Sequence, residues 1–598
     1  MIENVVASET MPRTALPVVF GPSDRPLLGF YHAPAAPTRS IAVVLCNPLG
    51  YEAMSAHRTY RHLAERLASG GVAALRFDYD GTGDSSGRPS DPGRVRAWLG
   101  GIKAALKEVR SRGGARHVAL FGIRFGATLA MLAAAEDGMV DSMISWAPVI
   151  SGRAHVSELR AFRMLMPKAP VPRADGGEEV GGYFFAGETL AEMSGIDLLA
   201  SSDRAPKRVL VLPRSERSGD EARLVEQLKA HGANVRLTPA PGYSRMMRDD
   251  PYETVVPFDT LDGIVEWICE GWQPERREPV PRLPSTSVIR VAPRDGEAVT
   301  ETPLVFGPGE RLFGVLSEPE GPIGPDRPAL CFLNVGANTH VGPHRMNVEL
   351  AREFAGRGYL AFRLDAAGLG ESRVAPGVPE NRIYTKDSVA DVKSAMNLLE
   401  QMRGARRFVL IGLCSGAYLA FHTAITDTRV VSQVLLSPFA FEWAEGDPAS
   451  PQMREPFRST RFYTRALLDP RVWQRALRGD VAVWKIAGAL LERFQDHLDA
   501  GMPAWTARLL GQRGSQNEVE RAFAAMCDRG TDSLLVSSFD DGGVDMVARY
   551  LGTDARRMRG RQNFAFRILQ GADHTFKTLA SQQRLCDLLT AYVTSHFP

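Results

Sequence analysis

Cysteine is scarce in this chain of 598 residues: there are six, and none lies close to another. Cys46, Cys269, Cys331, Cys414, Cys527 and Cys586 include no C-x-x-C pair, so neither a thiolate zinc site nor a disulfide framework is expected. Net charge is nearly absent as well. The 71 basic and 69 acidic residues are interspersed and leave a formal +2, which removes the case for a nucleic-acid partner. Nowhere do about 18 apolar residues run together, and Met1-Ile2-Glu3-Asn4-Val5 lacks a basic segment leading into an apolar one. No membrane span and no secretory leader are expected, and a cytoplasmic location follows as the expectation. A G-x-x-x-x-G-K-[ST] loop is missing too, and Gly81-x-Gly83 and Gly368-x-Gly370 precede no dinucleotide fingerprint, so the expected cofactor is none and the expected metal is none.

What is present is an ordinary globular composition, 44% apolar and 23% charged, in a chain long enough for at least two domains. Those domains are copies of one another. Phe20-Gly21-Pro22 returns as Phe306-Gly307-Pro308, Asp78-x-x-Gly81-x-Gly83-Asp84-Ser85 as Asp365-x-x-Gly368-x-Gly370-Glu371-Ser372, and Gly122-Ile123-Arg124-Phe125-Gly126 as Gly412-Leu413-Cys414-Ser415-Gly416. The offsets are 286, 287 and 290 residues, a drift small enough to mean duplication. In both copies short apolar strands alternate with amphipathic helices, the pattern of a mainly parallel sheet wrapped on both faces. Strands are predicted at Ile41–Cys46, Val72–Phe77, His117–Phe121, Ser142–Trp146 and Arg208–Leu212. Their repeats are predicted at Ala329–Leu333, Leu360–Leu364, Phe408–Ile411, Val434–Ser437 and Ser533–Ser537, with Phe564–Leu569 last. The expected division is 1–272, a proline-rich charged connector over 273–287, and 288–598. A long stretch after Pro438, with Trp484, Ala487, Leu491 and Phe494 at helical spacing, predicts a helical cap at about 439–530.

The chemistry is expected in the second copy. Gly412 and Gly416 bracket Cys414 between the apolar run Phe408–Ile411 and a helix, as a sharp strand-to-helix turn requires, and only the central residue of such a turn stands above the sheet. Cys414 is therefore the candidate nucleophile, and an attacking cysteine points to acyl transfer through a thioester. Ser415 sits one place too late to attack, so its backbone N–H is assigned to the oxyanion hole, together with that of Val335 or Gly336 in Leu333-Asn334-Val335-Gly336-Ala337-Asn338. A cysteine nucleophile works with an imidazole, and the imidazole with a carboxylate that holds its tautomer. His574, in Gly571-Ala572-Asp573-His574 after the last strand, is the candidate base. Asp541 is the favoured acid, with Asp540 and Asp545 as alternatives. The first copy has Arg124 at the elbow, Ser244 opposite His574 and Glu216 in the loop of the acid, so it is expected to be inactive. His344 is matched by His57 in that inactive copy and reads as structural; His340 has no counterpart and stays open.

With elbow, late acid and late histidine in that order, both halves resemble the α/β-hydrolase superfamily, above all its serine aminopeptidase-like and exosortase-associated members. The phrases Cys46-Asn47-Pro48-Leu49-Gly50-Tyr51-Glu52, Arg76-Phe77-Asp78-Tyr79-Asp80-Gly81-Thr82-Gly83-Asp84-Ser85 and Asn334-Val335-Gly336-Ala337-Asn338 carry that resemblance. A cysteine elbow is similar to those of dienelactone hydrolases, polyhydroxyalkanoate synthases and bile-acid-CoA amino acid acyltransferases. The resemblance implies two tandem α/β-hydrolase domains and a small-molecule acyl ester or thioester substrate. The first expectation is hydrolysis through acyl-Cys414. Transfer of a CoA-bound or carrier-protein-bound acyl group to an amine or hydroxyl is the alternative, and a non-catalytic scaffold is the rival from another class.

Overall fold

In the computed structural model the residues described are 15–165, 173–201, 204–214, 218–275, 288–291, 296–324, 326–443, 517–539 and 541–598. Strand Ile41–Cys46 shows why an unbroken apolar run belongs in a covered parallel sheet. Ile41, Val43 and Leu45 enter one hydrophobic core, while Ala42, Val44 and Cys46 enter the other. Side chains alternate across a strand, so a strand buried on both faces must be apolar at every position. Helix Tyr51–Ser69 fills the first core with Ala56, Tyr60, Leu63 and Leu67, and helix Phe258–Gly271 adds Leu261, Ile264 and Trp267. Helices Arg94–Gly113 and Phe125–Asp137 supply the opposite core through Trp98, Ile102, Leu106 and Leu129. Full burial of each such leucine or isoleucine stabilises by roughly 1.5–3 kcal/mol.

Among the described residues the first sheet has eight strands: Ala15–Phe20, Leu27–His32, Ile41–Cys46, Ala73–Phe77, His117–Ile123, Ser142–Trp146, Arg208–Leu212 and Asn234–Leu237. Numbered along the chain within the sheet, they lie side by side in the order 1-2-4-3-5-6-7-8. Strand 2 pairs antiparallel with strands 1 and 4, and the other pairings are parallel. The second sheet repeats this order with Val299–Phe306, Leu312–Pro319, Ala329–Phe332, Ala361–Asp365, Phe408–Leu413, Val430–Leu436, Asp532–Ser538 and Phe564–Leu569, and adds Ile289–Val291 at its edge. The predicted parallel strands thus agree with the structure to within a few residues. The antiparallel strands at each leading edge and the parallel strand Asn234–Leu237 were not anticipated. The repeated Phe-Gly-Pro phrase is part of the turn that joins two of them, with Gly21 and Gly307 at φ 88° and 73°.

The other repeated phrase is also a turn. Ser85 Oγ donates to Asp78 O at 2.6 Å and accepts from Leu28 N at 2.9 Å. Ser372 Oγ donates to Asp365 O at 2.6 Å and accepts from Phe313 N at 2.8 Å. Asp84 N and Glu371 N donate to the carboxylates of Asp78 and Asp365 at 3.0 and 2.9 Å. A Cβ on Gly83 or Gly370, at φ 48° and 49°, would stand 2.0 or 2.2 Å from the same carboxylates. The D-x-x-G-x-G-[DE]-S pattern is therefore the solution to a tight reversal after strand 4, in both copies.

By compactness the described residues divide into those up to Pro303 with His344–Arg352, and Leu304–Pro343 with Glu353–Pro598. The nine-stranded sheet starts at Ile289. Most of the connector expected over 273–287 and most of the cap expected at 439–530, including Trp484, Ala487, Leu491 and Phe494, lie outside the described residues. Among the described residues no helix is long and apolar enough to cross a membrane.

Candidate active site

Both elbows have the geometry that a strand-to-helix reversal forces. Cys414 has φ 56° and ψ −110°, Arg124 φ 55° and ψ −127°. A non-glycine residue at positive φ is strained, and the strain is kept in both copies. The flanking glycines are required sterically. A Cβ on Gly412 would meet the backbone of Gly416 at 2.1 Å, and one on Gly416 the carbonyl of Asn334 at 2.7 Å. Gly122 and Gly126 are hemmed in alike, by Ala127 N at 2.5 Å and Cys46 O at 2.3 Å.

In the second domain the loops after strands 7 and 8 bring Asp541 and His574 to the elbow. His574 Nδ1 and Asp541 Oδ1 are 2.9 Å apart, with Asp541 fully buried, and Cys414 is near enough to act on the ring electrostatically. Burial works against the charged ring, but Asp541 and Cys414 together hold the His574 pKa well above the ordinary histidine value. Burial likewise opposes the ionised Asp541. The charge and hydrogen bond of His574, helped by the nearby polar groups of Ser437 and Gly543, outweigh it and keep the carboxyl below its usual range. Asp545 lies instead in the first turn of helix Gly543–Leu551, and Asp540 is outside the described residues. Ser437 was not singled out in the sequence. It occupies a strained position, φ 41°, at the offset of 290 from Ala147, φ 46°.

The oxyanion side differs from expectation in one contact. Gly336 N–H donates to Ser415 Oγ at 2.7 Å, so it reaches an oxyanion only if that hydroxyl turns away. The loop that carries Val335 and Gly336 is held from behind. Asp365 Oδ1 accepts from Asn334 Nδ2 at 2.8 Å and from His340 N at 2.5 Å, and its Oδ2 lies 2.7 Å from His340 Nδ1. His340 is buried against Phe313 and anchors the loop through Asp365, which answers the question its sequence position left open. His344 falls in the first compact unit, edge-on to Tyr183 at 5.4 Å. A further unanticipated neighbour of the elbow is Tyr384, with its hydroxyl 3.5 Å from Cys414 Sγ.

The equivalent place in the first domain is filled with charge. Arg124 is buried and donates to Glu52 at 2.9 Å and to Glu158, with His155 at 3.5 Å. Burial opposes its charge, but Glu52, Tyr243 and Glu158 more than offset that and raise its pKa further. Two carboxylates around one guanidinium more than balance its charge, so the space above this elbow is occupied by an ion-pair cluster. Tyr243, buried, is the residue that interacts with Arg124, whereas Ser244 is exposed. The loop's backbone presents its side chains one place earlier than the simple sequence match supposed. Glu216 is outside the described residues.

Comparison with known proteins follows the same division. The family model described as serine aminopeptidase, S33, matches residues 42–180, and that of the alpha/beta hydrolase family matches residues 332–587. The quorum-quenching protein AidA of Acinetobacter baumannii is 28% identical over 144 residues, which are 24% of this chain and 46% of that protein. The chain thus spans about half the length of that curated relative. Among solved structures, Est1E from Butyrivibrio proteoclasticus is similar at 18% identity, covering 43% of this chain and 98% of its own, with a TM-score of 0.32. The Pyrococcus furiosus esterase Pf2001 is similar at 16% identity, covering 44% and 95%, with a TM-score of 0.32.

Proposed function

We propose that this chain, an enzyme of the hydrolase class that carries two α/β-hydrolase domains in tandem, cleaves a small-molecule ester or thioester through an acyl-Cys414 intermediate. The observation that carries the reading is the pairing of His574 Nδ1 with the buried Asp541 at 2.9 Å beside an elbow whose apex is a cysteine. The Cys414 thiol gives its proton to the other nitrogen of His574, and the sulfur bonds to the substrate carbonyl carbon as the π electrons move to oxygen. Asp541 fixes the tautomer that makes this transfer possible. Backbone N–H groups of Ser415 and Val335, joined by Gly336 once the Ser415 hydroxyl turns, stabilise the oxyanion. The intermediate collapses, the bond to the leaving oxygen or sulfur breaks, and that atom takes the proton from His574. Water then attacks the thioester, gives a proton to His574, and releases the acid as the proton returns to sulfur.

The test is intact-mass measurement after mixing the protein with a panel of acyl thioesters and aryl esters. A retained acyl group that vanishes in Cys414→Ala supports the reading, and turnover that survives Cys414→Ala overturns it. Adding amine or alcohol acceptors separates hydrolysis from transfer, because transfer would give an amide or a new ester in place of the free acid. Absence of any adduct, together with absence of turnover, would favour the scaffold reading.

A further inference from the structure

We propose that Tyr384 is a further catalytic residue of the second domain, its phenol donating a hydrogen bond to the Cys414 sulfur when that sulfur has given up its proton. The inference rests on the reading of Cys414 as nucleophile. The Tyr384 hydroxyl is 3.5 Å from Cys414 Sγ, inside the range of a sulfur hydrogen bond, and both residues are buried. Once the proton has moved to His574 the sulfur has nothing to donate, so the phenol must be the donor. A hydrogen bond to an ionised partner is stronger than a neutral one, and more so in a buried site.

Three observations set this tyrosine apart from a core filler. Its backbone sits at φ 59°, in the left-handed region that a bulky aromatic residue occupies only under constraint. Its ring is clamped, stacked on Trp443 at 4.5 Å and 15° and edge-on to Tyr418 of the elbow helix at 5.4 Å. Strain together with a fixed ring orients the hydroxyl at the sulfur. The duplication then gives a control. Tyr384 lies in the segment 373–386 between the Asp365 turn and helix Asp387–Arg403, and the corresponding segment of the first domain, 86–93, is shorter and has no aromatic residue. The hydroxyl is therefore absent from the domain in which the elbow holds arginine.

Tyr384→Phe keeps the ring and both ring contacts and removes only the hydroxyl. The experiment is alkylation of the full-length protein by iodoacetamide across pH 5 to 10, with Cys414 resolved from the other five cysteines by peptide mass, alongside the rate of acyl-enzyme formation. The expected result is that Tyr384→Phe moves the alkylation curve to higher pH and lowers both rates at pH 7 by about tenfold, the size of one hydrogen bond to a charged group. A purely structural tyrosine would leave the alkylation curve where it is. An unmoved curve with Cys414 still acylated at the wild-type rate overturns the role of Tyr384 alone. Turnover that survives Cys414→Ala with no adduct on the wild type overturns the nucleophile and Tyr384 with it.

Discussion

The two elbows of this protein have the same backbone and opposite chemistry. Arg124 and Cys414 share φ to within a degree, and each is pinned between glycines that admit no Cβ. Around Cys414 the loops deliver His574, Asp541 and Tyr384; around Arg124 helices Tyr51–Ser69, Gly152–Leu165 and Tyr243–Met246 deliver Glu52, His155, Glu158 and Tyr243. The comparison teaches that the strained turn belongs to the fold and is kept with either a cysteine or an arginine at its apex. What changes is how the space above the turn is used. In the second domain it holds the His574–Asp541 pair, and in the first it is filled by the ion-pair cluster of Arg124.

The largest effect expected from breaking the comparison is on turnover. Cys414→Ala should remove acyl-enzyme formation and lower kcat by at least about 10⁴-fold, while Arg124→Ala leaves kcat within about twofold, as single-turnover kinetics on one acyl thioester would measure. Comparable losses from both would mean that the first site takes part in the chemistry. Next, His574→Ala should slow acylation by about 10³-fold, in the range of a lost general base. In the first domain, placing histidine at Tyr243 should restore nothing while Arg124 fills the elbow; any adduct there would sink the account of that site.

Stability should respond the other way. Arg124→Ala leaves the buried Glu52 carboxylate without its partner, so the first domain should lose about 3 kcal/mol, read as a lower denaturant midpoint with activity per folded molecule unchanged. A smaller effect, about 1–2 kcal/mol each, is expected for Gly83→Ala and Gly370→Ala, since the two turns are alike in geometry and both place the glycine at positive φ. Unequal losses at the two glycines would show that the copies have diverged in the turn as well as at the elbow.

The smallest effect is the pH dependence of the Asp541–His574 pair. Asp541, held low, adds stability above the ordinary carboxylate pKa of about 3.9 and loses it as pH falls through its lower native value. His574, held high, adds stability fully below about pH 6.5 and loses it as pH rises through its raised native value. The stability gap between the wild type and Asp541→Asn should thus be widest between about pH 4 and 6.5 and narrow on either side, in denaturant melts at pH 3, 5.5 and 9. A gap that is constant over that range would mean that the pair carries no linked proton.

The sequence by itself determined the duplication, the covered parallel strands and the identity of the two elbow residues, because each of these is a local or periodic property. A strand buried on both faces announces itself as an unbroken apolar run, and a turn that excludes Cβ atoms announces itself as paired glycines. It did not reveal the antiparallel leading strands, whose pattern is shorter and less continuous. Nor could it choose the side chain of a loop that faces the elbow: Tyr243 in place of Ser244, the Ser415 hydroxyl on Gly336 N–H, and Asp365 behind His340 are contacts between segments far apart in the chain. Tyr384 is the clearest case. It comes to lie 3.5 Å from Cys414 only because a loop after strand 4 folds over the end of strand 5. Such contacts are set by the direction in which a strained backbone points a side chain, and that direction is decided by tertiary packing.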